Sequence, residues 1–81
     1  MNQQIRAIVA KHGGLPVDVA NLDDRADLYD AGMTSFASVD LMLGLEEAFN
    51  IEFPDALLTR KTFASISAIA EVVTKLGVHV A

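Results

Sequence analysis

Eighty-one residues leave room for one small domain, residues 1–81, and exclude a second core or a large enclosed cleft. An apolar content of 52% lets the chain fold without covalent staples, and the absence of cysteine excludes a disulfide framework, a thiolate zinc site and a cysteine nucleophile. The net charge of −5 is unevenly placed: residues 1–25 are neutral and residues 60–81 carry +2, while residues 26–59 hold seven carboxylates and no Lys or Arg, a block that repels nucleic acid and anionic membranes and attracts proteins with basic patches.

Near the N-terminus, Ile5, Ile8, Val9 and His12 fall at i, i+3, i+4 and i+7, one face of a helix. Asn2 suits the N-cap, and Gly13-Gly14 before Pro16 predicts the end. His12 then lies in the last turn, where a cation is favoured, and reads as a structural histidine. From Gly14 to Thr34 no period holds, and Pro16, Asn21, Gly32 and scattered Asp predict a long loop. Val17, Leu22, Leu28 and Tyr29 are the residues available to pin it to the core. Its acids do not make a calcium loop, because an EF-hand register begun at Asn21 puts Arg25 at a ligand position and Ala26 where glycine is needed.

The strongest helical signal runs from Ser35 to Phe49, with Thr34 as N-cap and Asn50 closing it. Leu41, Leu45 and Phe49 form a core stripe flanked by Ser38 and Met42. Phe36, Val39 and Leu43 form a second apolar stripe on another side, for which a helix buried on one face has no use. Asp40, Glu46 and Glu47 lie off the core stripe. Gly44 within this helix costs up to about 1 kcal/mol against alanine. Phe53-Pro54 enforces an extended residue, and Pro54-Asp55 opens a short helix to about Leu58.

The last helix has Ser65 as N-cap and Ile66, Ile69, Ala70, Val73 and Leu76 on one face. Lys75 stands in its last turn and Gly77 is its stop. The expectation is an all-α, small four-helix bundle with a long loop between helices 1 and 2. Its core is aliphatic, since aromatic residues make up 6% and Trp is absent. No apolar run approaches eighteen residues and no charged-then-apolar leader opens the chain, so a soluble, unprocessed, cytoplasmic protein is expected.

Little in this chain can do chemistry unaided. His12 and His79 stand at opposite ends, with no cluster of metal-ligand spacing, so no metal is expected. Glu46 and Glu47 are adjacent on a helix and point apart, which rules out a paired acid and base, and no glycine loop cradles phosphate. No catalytic residue is assigned. Ser35 is the residue of interest. It opens the acidic helix directly after a loop, where an esterified phosphate would meet unpaired backbone N–H groups and the positive helix end. The bland alternative is that Thr34 or Ser35 only caps the helix and that the acidic block only solvates it.

The segment Asp27-Leu-Tyr-Asp-Ala-Gly-Met-Thr-Ser-Phe-Ala-Ser-Val-Asp-Leu-Met-Leu-Gly-Leu-Glu-Glu-Ala-Phe-Asn-Ile-Glu-Phe-Pro-Asp55, continued by Thr62-Phe-Ala-Ser-Ile-Ser-Ala-Ile69, closely resembles the acyl carrier protein family over residues 25–76. The resemblance implies a four-helix, non-catalytic carrier whose serine, by position Ser35, is esterified by 4′-phosphopantetheine. The working thiol then belongs to the arm, in keeping with a chain that lacks cysteine. The arm raises the effective concentration of its cargo for successive enzymes. On this reading Asp40, Glu46 and Glu47 steer basic partners, and Phe36, Val39 and Leu43 supply apolar contact.

The partners implied are a phosphopantetheinyl transferase, an amino acid or acyl ligase resembling class II aminoacyl-tRNA synthetases, and downstream acyl-transferring enzymes. The carrier itself is expected to be a monomer. Where the family has Asp-Ser-Leu this chain has Thr34-Ser35-Phe36, and it more closely resembles small stand-alone carriers of activated amino acids. Carriage of fatty or specialised acyl chains is the alternative, and an acidic helical interaction module without prosthetic group is the alternative of another class. Phe49, Phe53 and Phe63 are available either to line a cargo pocket or to fill it.

Overall fold

The computed structural model describes residues 2–77, and His79 lies outside them. Three α-helices, α1 (Asn2–His12), α2 (Ser35–Phe49) and α3 (Ile66–Lys75), are joined by connections that contain two single-turn 3₁₀ helices, Val19–Asn21 and Asp55–Leu57. Among the described residues there is no strand. Helices of 11, 15 and 10 residues are marginal in water by themselves, so each depends on burying its apolar stripe. Ile5 and Val9 of α1, Leu41 and Leu45 of α2, and Ile66, Ile69 and Val73 of α3 are completely buried, and α1 packs against both other helices. Leu28, from the first connection, is buried as completely.

The helix ends follow local chemistry. Thr34 Oγ1 accepts from the Ala37 N–H at 3.0 Å and Ser65 Oγ from the Ala68 N–H at 3.0 Å, each satisfying a donor that helix geometry leaves orphaned. Asn50 closes α2 in the left-handed conformation (φ 53°), and Gly77 follows α3 with φ 85°. Asn2 is not a cap. It lies inside α1, and its Nδ2 donates to Asp24 Oδ2 at 3.0 Å, so its role is to fasten the first connection.

Among the described residues three α-helices form where four helices were expected, with only a 3₁₀ turn between α2 and α3. Pro54 opens a turn, but only Asp55–Leu57 is helical, and Leu58 already leaves helical geometry (φ −83°, ψ 65°). None of those three residues is fully buried, so no apolar stripe rewards a longer helix. The Thr62 N–H then bonds to the Thr59 carbonyl at 3.2 Å and the chain turns towards α3.

The long connection between α1 and α2 is fastened at several points. Arg6 Nη1 donates to the Val19 carbonyl at 2.5 Å and the Leu22 carbonyl at 2.7 Å, and its Nη2 pairs with Asp24. The Leu28 N–H donates to the Ala64 carbonyl at 2.7 Å, and the Ser67 N–H to the Asp24 carbonyl at 2.9 Å. Leu22, Leu28 and Tyr29 pack on the core as expected. Val17 does not, being 45% exposed, and the buried anchors there are Val19 and Met33.

Gly44 has a steric reason. A Cβ at this position would come within 2.7 Å of His12 Cδ2 and 2.8 Å of its Nε2, so α1 and α2 cross closely only because the side chain is missing. His12 Nδ1 lies 3.0 Å from Asp40 Oδ2, which makes it a structural histidine tying the two helices together.

Candidate functional site

At the start of α2 two adjacent hydroxyls have different roles. Thr34 is the cap, and Ser35, the first helical residue, is exposed with no hydrogen bond to its own hydroxyl among the described residues. The alternative in which Ser35 serves as the cap is therefore set aside. Two other serine hydroxyls are committed: Ser38 Oγ donates to the Ser35 carbonyl at 2.6 Å, and Ser65 caps α3. Ser35 thus presents a free oxygen at the positive end of a fifteen-residue helix.

Ser35 opens onto a groove of about 310 Å³ between α2 and the segment preceding α3. Ser38, Val39 and Met42 form the α2 wall, Leu58, Thr59, Arg60 and Phe63 the opposite wall, and Tyr29 reaches in from the first connection. Phe63 is buried and packs on Phe53, with ring centroids 5.3 Å apart and planes tilted by 59°. Of the three phenylalanines available for a pocket, Phe63 lines the groove and Phe53 backs it, while Phe49 packs against the core. Sequence reasoning missed Tyr29, Leu58 and Arg60 as groove residues. Position supplied one signal, since Arg60 is the first cation after the acidic block.

The second apolar stripe stays uncovered. Phe36 is 90% exposed, Val39 54% and Leu43 53%, and together with Asp40 they line a shallow hollow of about 240 Å³. Val39 belongs to both depressions and forms the ridge between them. Three large apolar side chains in a row therefore face water on this side of α2.

The three carboxylates beside this stripe are not equivalent. Glu47 is exposed, and Asp40 is exposed but shared with His12. Glu46 is half-buried, and its Oε2 accepts from the Phe53 N–H at 2.9 Å, holding the extended exit from α2. Its carboxylate is thus a structural acceptor. Among the described residues no group of three or more His, Asp or Glu is placed to hold a metal ion, and no helix is long and apolar enough to cross a membrane.

A free serine hydroxyl at a helix start thus lies beside a shallow groove and an exposed apolar stripe edged with acid. The chain belongs to the family described as phosphopantetheine attachment site, which matches residues 3–73, and the covalent 4′-phosphopantetheine of that family is its cofactor. It is 64% identical over 73 residues to the aminoacyl carrier protein of Agrobacterium fabrum (strain C58), an alignment covering 90% of this chain and 88% of that protein.

Solved structures agree. One complex of an engineered Bradyrhizobium japonicum glycine:[carrier protein] ligase with a carrier protein from Agrobacterium tumefaciens and AMP contains a chain that superposes with a TM-score of 0.89 at 64% identity, covering 91% of this chain and 99% of that one. A second, of the Bradyrhizobium japonicum ligase with glycylated carrier protein, matches with a TM-score of 0.74 at 28% identity over 86% of this chain and 93% of that one. The all-helical fold is therefore that of these relatives, which are bound to the ligase as carrier proteins, glycylated in the second complex.

Proposed function

We propose that residues 1–81 form a single cytoplasmic carrier domain that bears 4′-phosphopantetheine on Ser35 and carries a small activated amino acid, with glycine the first candidate. The observation that carries this reading is the free Ser35 hydroxyl, released from capping by Thr34. The residues around it fit the group: the helix start favours an anionic phosphodiester, and the groove gives a largely apolar surface, with no carboxylate in its lining, to a flexible chain. When bound, the group supplies a thiol that holds the cargo as a thioester. The protein's own part is to fix the attachment oxygen, keep the α2 face available, and draw in basic partners through the acidic block. The aminoacyl assignment is supported by the 64% identity to an aminoacyl carrier protein and by the glycylated state of the more distant carrier.

The cargo is tested with the arm-bearing protein, ATP and a glycine ligase of the class seen with the relatives. A hydroxylamine-sensitive mass increase equal to one glycyl group is expected. Loading by a fatty acyl ligase but by no amino acid ligase would instead establish the specialised acyl alternative.

Docking is proposed on Phe36, Val39 and Leu43, with Asp40, Glu46 and Glu47 as the acidic rim. The geometry separates the two glutamates. Glu47→Lys should slow association with the ligase and flatten its salt dependence while the melting temperature holds. Glu46→Lys should do this and also cost roughly 1 kcal/mol of stability, because the Phe53 N–H loses a charged acceptor. Stopped-flow association together with thermal melts checks both, and equal melting temperatures for the two variants would refute the distinction.

A further inference from the structure

Arg60 follows directly on the acidic block, yet among the described residues it makes no ion pair with a carboxylate. Its guanidinium carbon lies instead 4.2 Å from the centroid of the Tyr29 ring. Both side chains line the groove that contains Ser35, and Arg60 is the one formally charged residue among the nine that line it. Tyr29 is itself held in place. Asp27 Oδ1 accepts from the Tyr29 N–H at 2.8 Å, and the neighbouring Leu28 N–H is bonded to the Ala64 carbonyl. A long, flexible cation on an exposed segment is thus braced on a fixed aromatic face, beside a hydroxyl expected to become a phosphodiester.

A serine-linked phosphodiester is anionic at every physiological pH, and the acidic block around it offers no other cation in this groove. Guanidinium donors match phosphate oxygens in geometry as well as charge. We propose that Arg60, braced on Tyr29, is a positioning residue that pairs with the phosphodiester at the root of the arm and sets the direction in which the arm leaves Ser35. The inference rests on the reading of Ser35 as the attachment site. It gives the first connection and the segment before α3 a shared purpose, since each contributes one half of the brace.

The test uses the full chain carrying the arm, with intact mass recorded first and the ³¹P resonance of the phosphodiester second. In the wild type the line should stand apart from its position in the same protein unfolded in urea. Arg60→Gln, an exposed substitution, should move the line most of the way to that unfolded position with unchanged helix content. Lys61→Gln removes an equal charge one residue further on, outside the groove lining, and should leave the line in place. A ³¹P line identical in wild type and Arg60→Gln overturns the proposal, as does an equal displacement by Lys61→Gln, which would mean that bulk charge alone moves it. Should the wild type gain no arm at Ser35, the carrier reading falls first and this inference with it. An arm that is present with an indifferent ³¹P line removes this inference alone.

Discussion

Replacement of Ser35 by alanine should abolish attachment of the arm, with no increase in intact mass after incubation with coenzyme A and a phosphopantetheinyl transferase. The expected loss is complete because the other hydroxyls at the start of α2, and the one that caps α3, are engaged in hydrogen bonds. Thr34 Oγ1 is bonded to the Ala37 N–H, Ser38 Oγ to the Ser35 carbonyl, and Ser65 Oγ to the Ala68 N–H. The change removes one exposed hydroxyl that caps nothing, so folding should be unaffected. Ser65→Ala is the informative contrast, since it should keep the arm but cost about 1 kcal/mol as α3 loses its cap. An arm found on Ser38 or Ser65 in the Ser35→Ala protein would refute the assigned site.

The largest stability effect expected from one polar substitution is at Arg6. This side chain, 22% exposed, donates to two backbone carbonyls of the first connection and pairs with Asp24. Arg6→Ala leaves the Val19 and Leu22 carbonyls without that donor and cuts the fastening of a connection of some twenty residues. Hydrogen bonds to charged groups contribute about 1.5–3 kcal/mol each when well buried. Partial exposure and non-additivity bring the expected total to roughly 2–3 kcal/mol. In a domain of this size that lowers the melting temperature by roughly 10–20 °C. Arg6→Lys should recover only part, because a point charge cannot reach three acceptors with fork geometry. Circular dichroism melts supply the measurement, and an Arg6→Ala protein melting within a degree or two of wild type would show that the connection is held by its apolar anchors alone.

The periodic segments are legible in the sequence, to the residue for α2, whereas the start of α1 is not, because Asn2 lies inside that helix and not at its cap. Both boundaries of α2, the caps Thr34 and Ser65 and the left-handed Asn50 follow from local rules, and the second α2 stripe stood out because one buried face did not account for it. What was not legible depends on contacts distant in sequence or on segments without a period. One turn after Pro54 carries too few residues to tell an α-helix from a 3₁₀ helix, so a fourth helix was expected where only a turn forms. Val19 and Met33 are isolated apolar residues in an aperiodic loop, and their burial was invisible beside that of Leu28. Glu46 and Glu47 are identical letters, separated in role only when the chain returns Phe53 to one of them. Arg60 and Tyr29 meet across the fold, so the groove at Ser35 had no local signature.

The most direct check is an intact mass spectrum of the protein purified from its own cells, before and after hydroxylamine. A polypeptide heavier by one phosphopantetheine arm on Ser35, with a further hydroxylamine-labile increment the size of a small amino acid in part of the population, is the outcome expected. A bare polypeptide mass would contradict the carrier assignment and leave an acidic three-helix interaction module in its place.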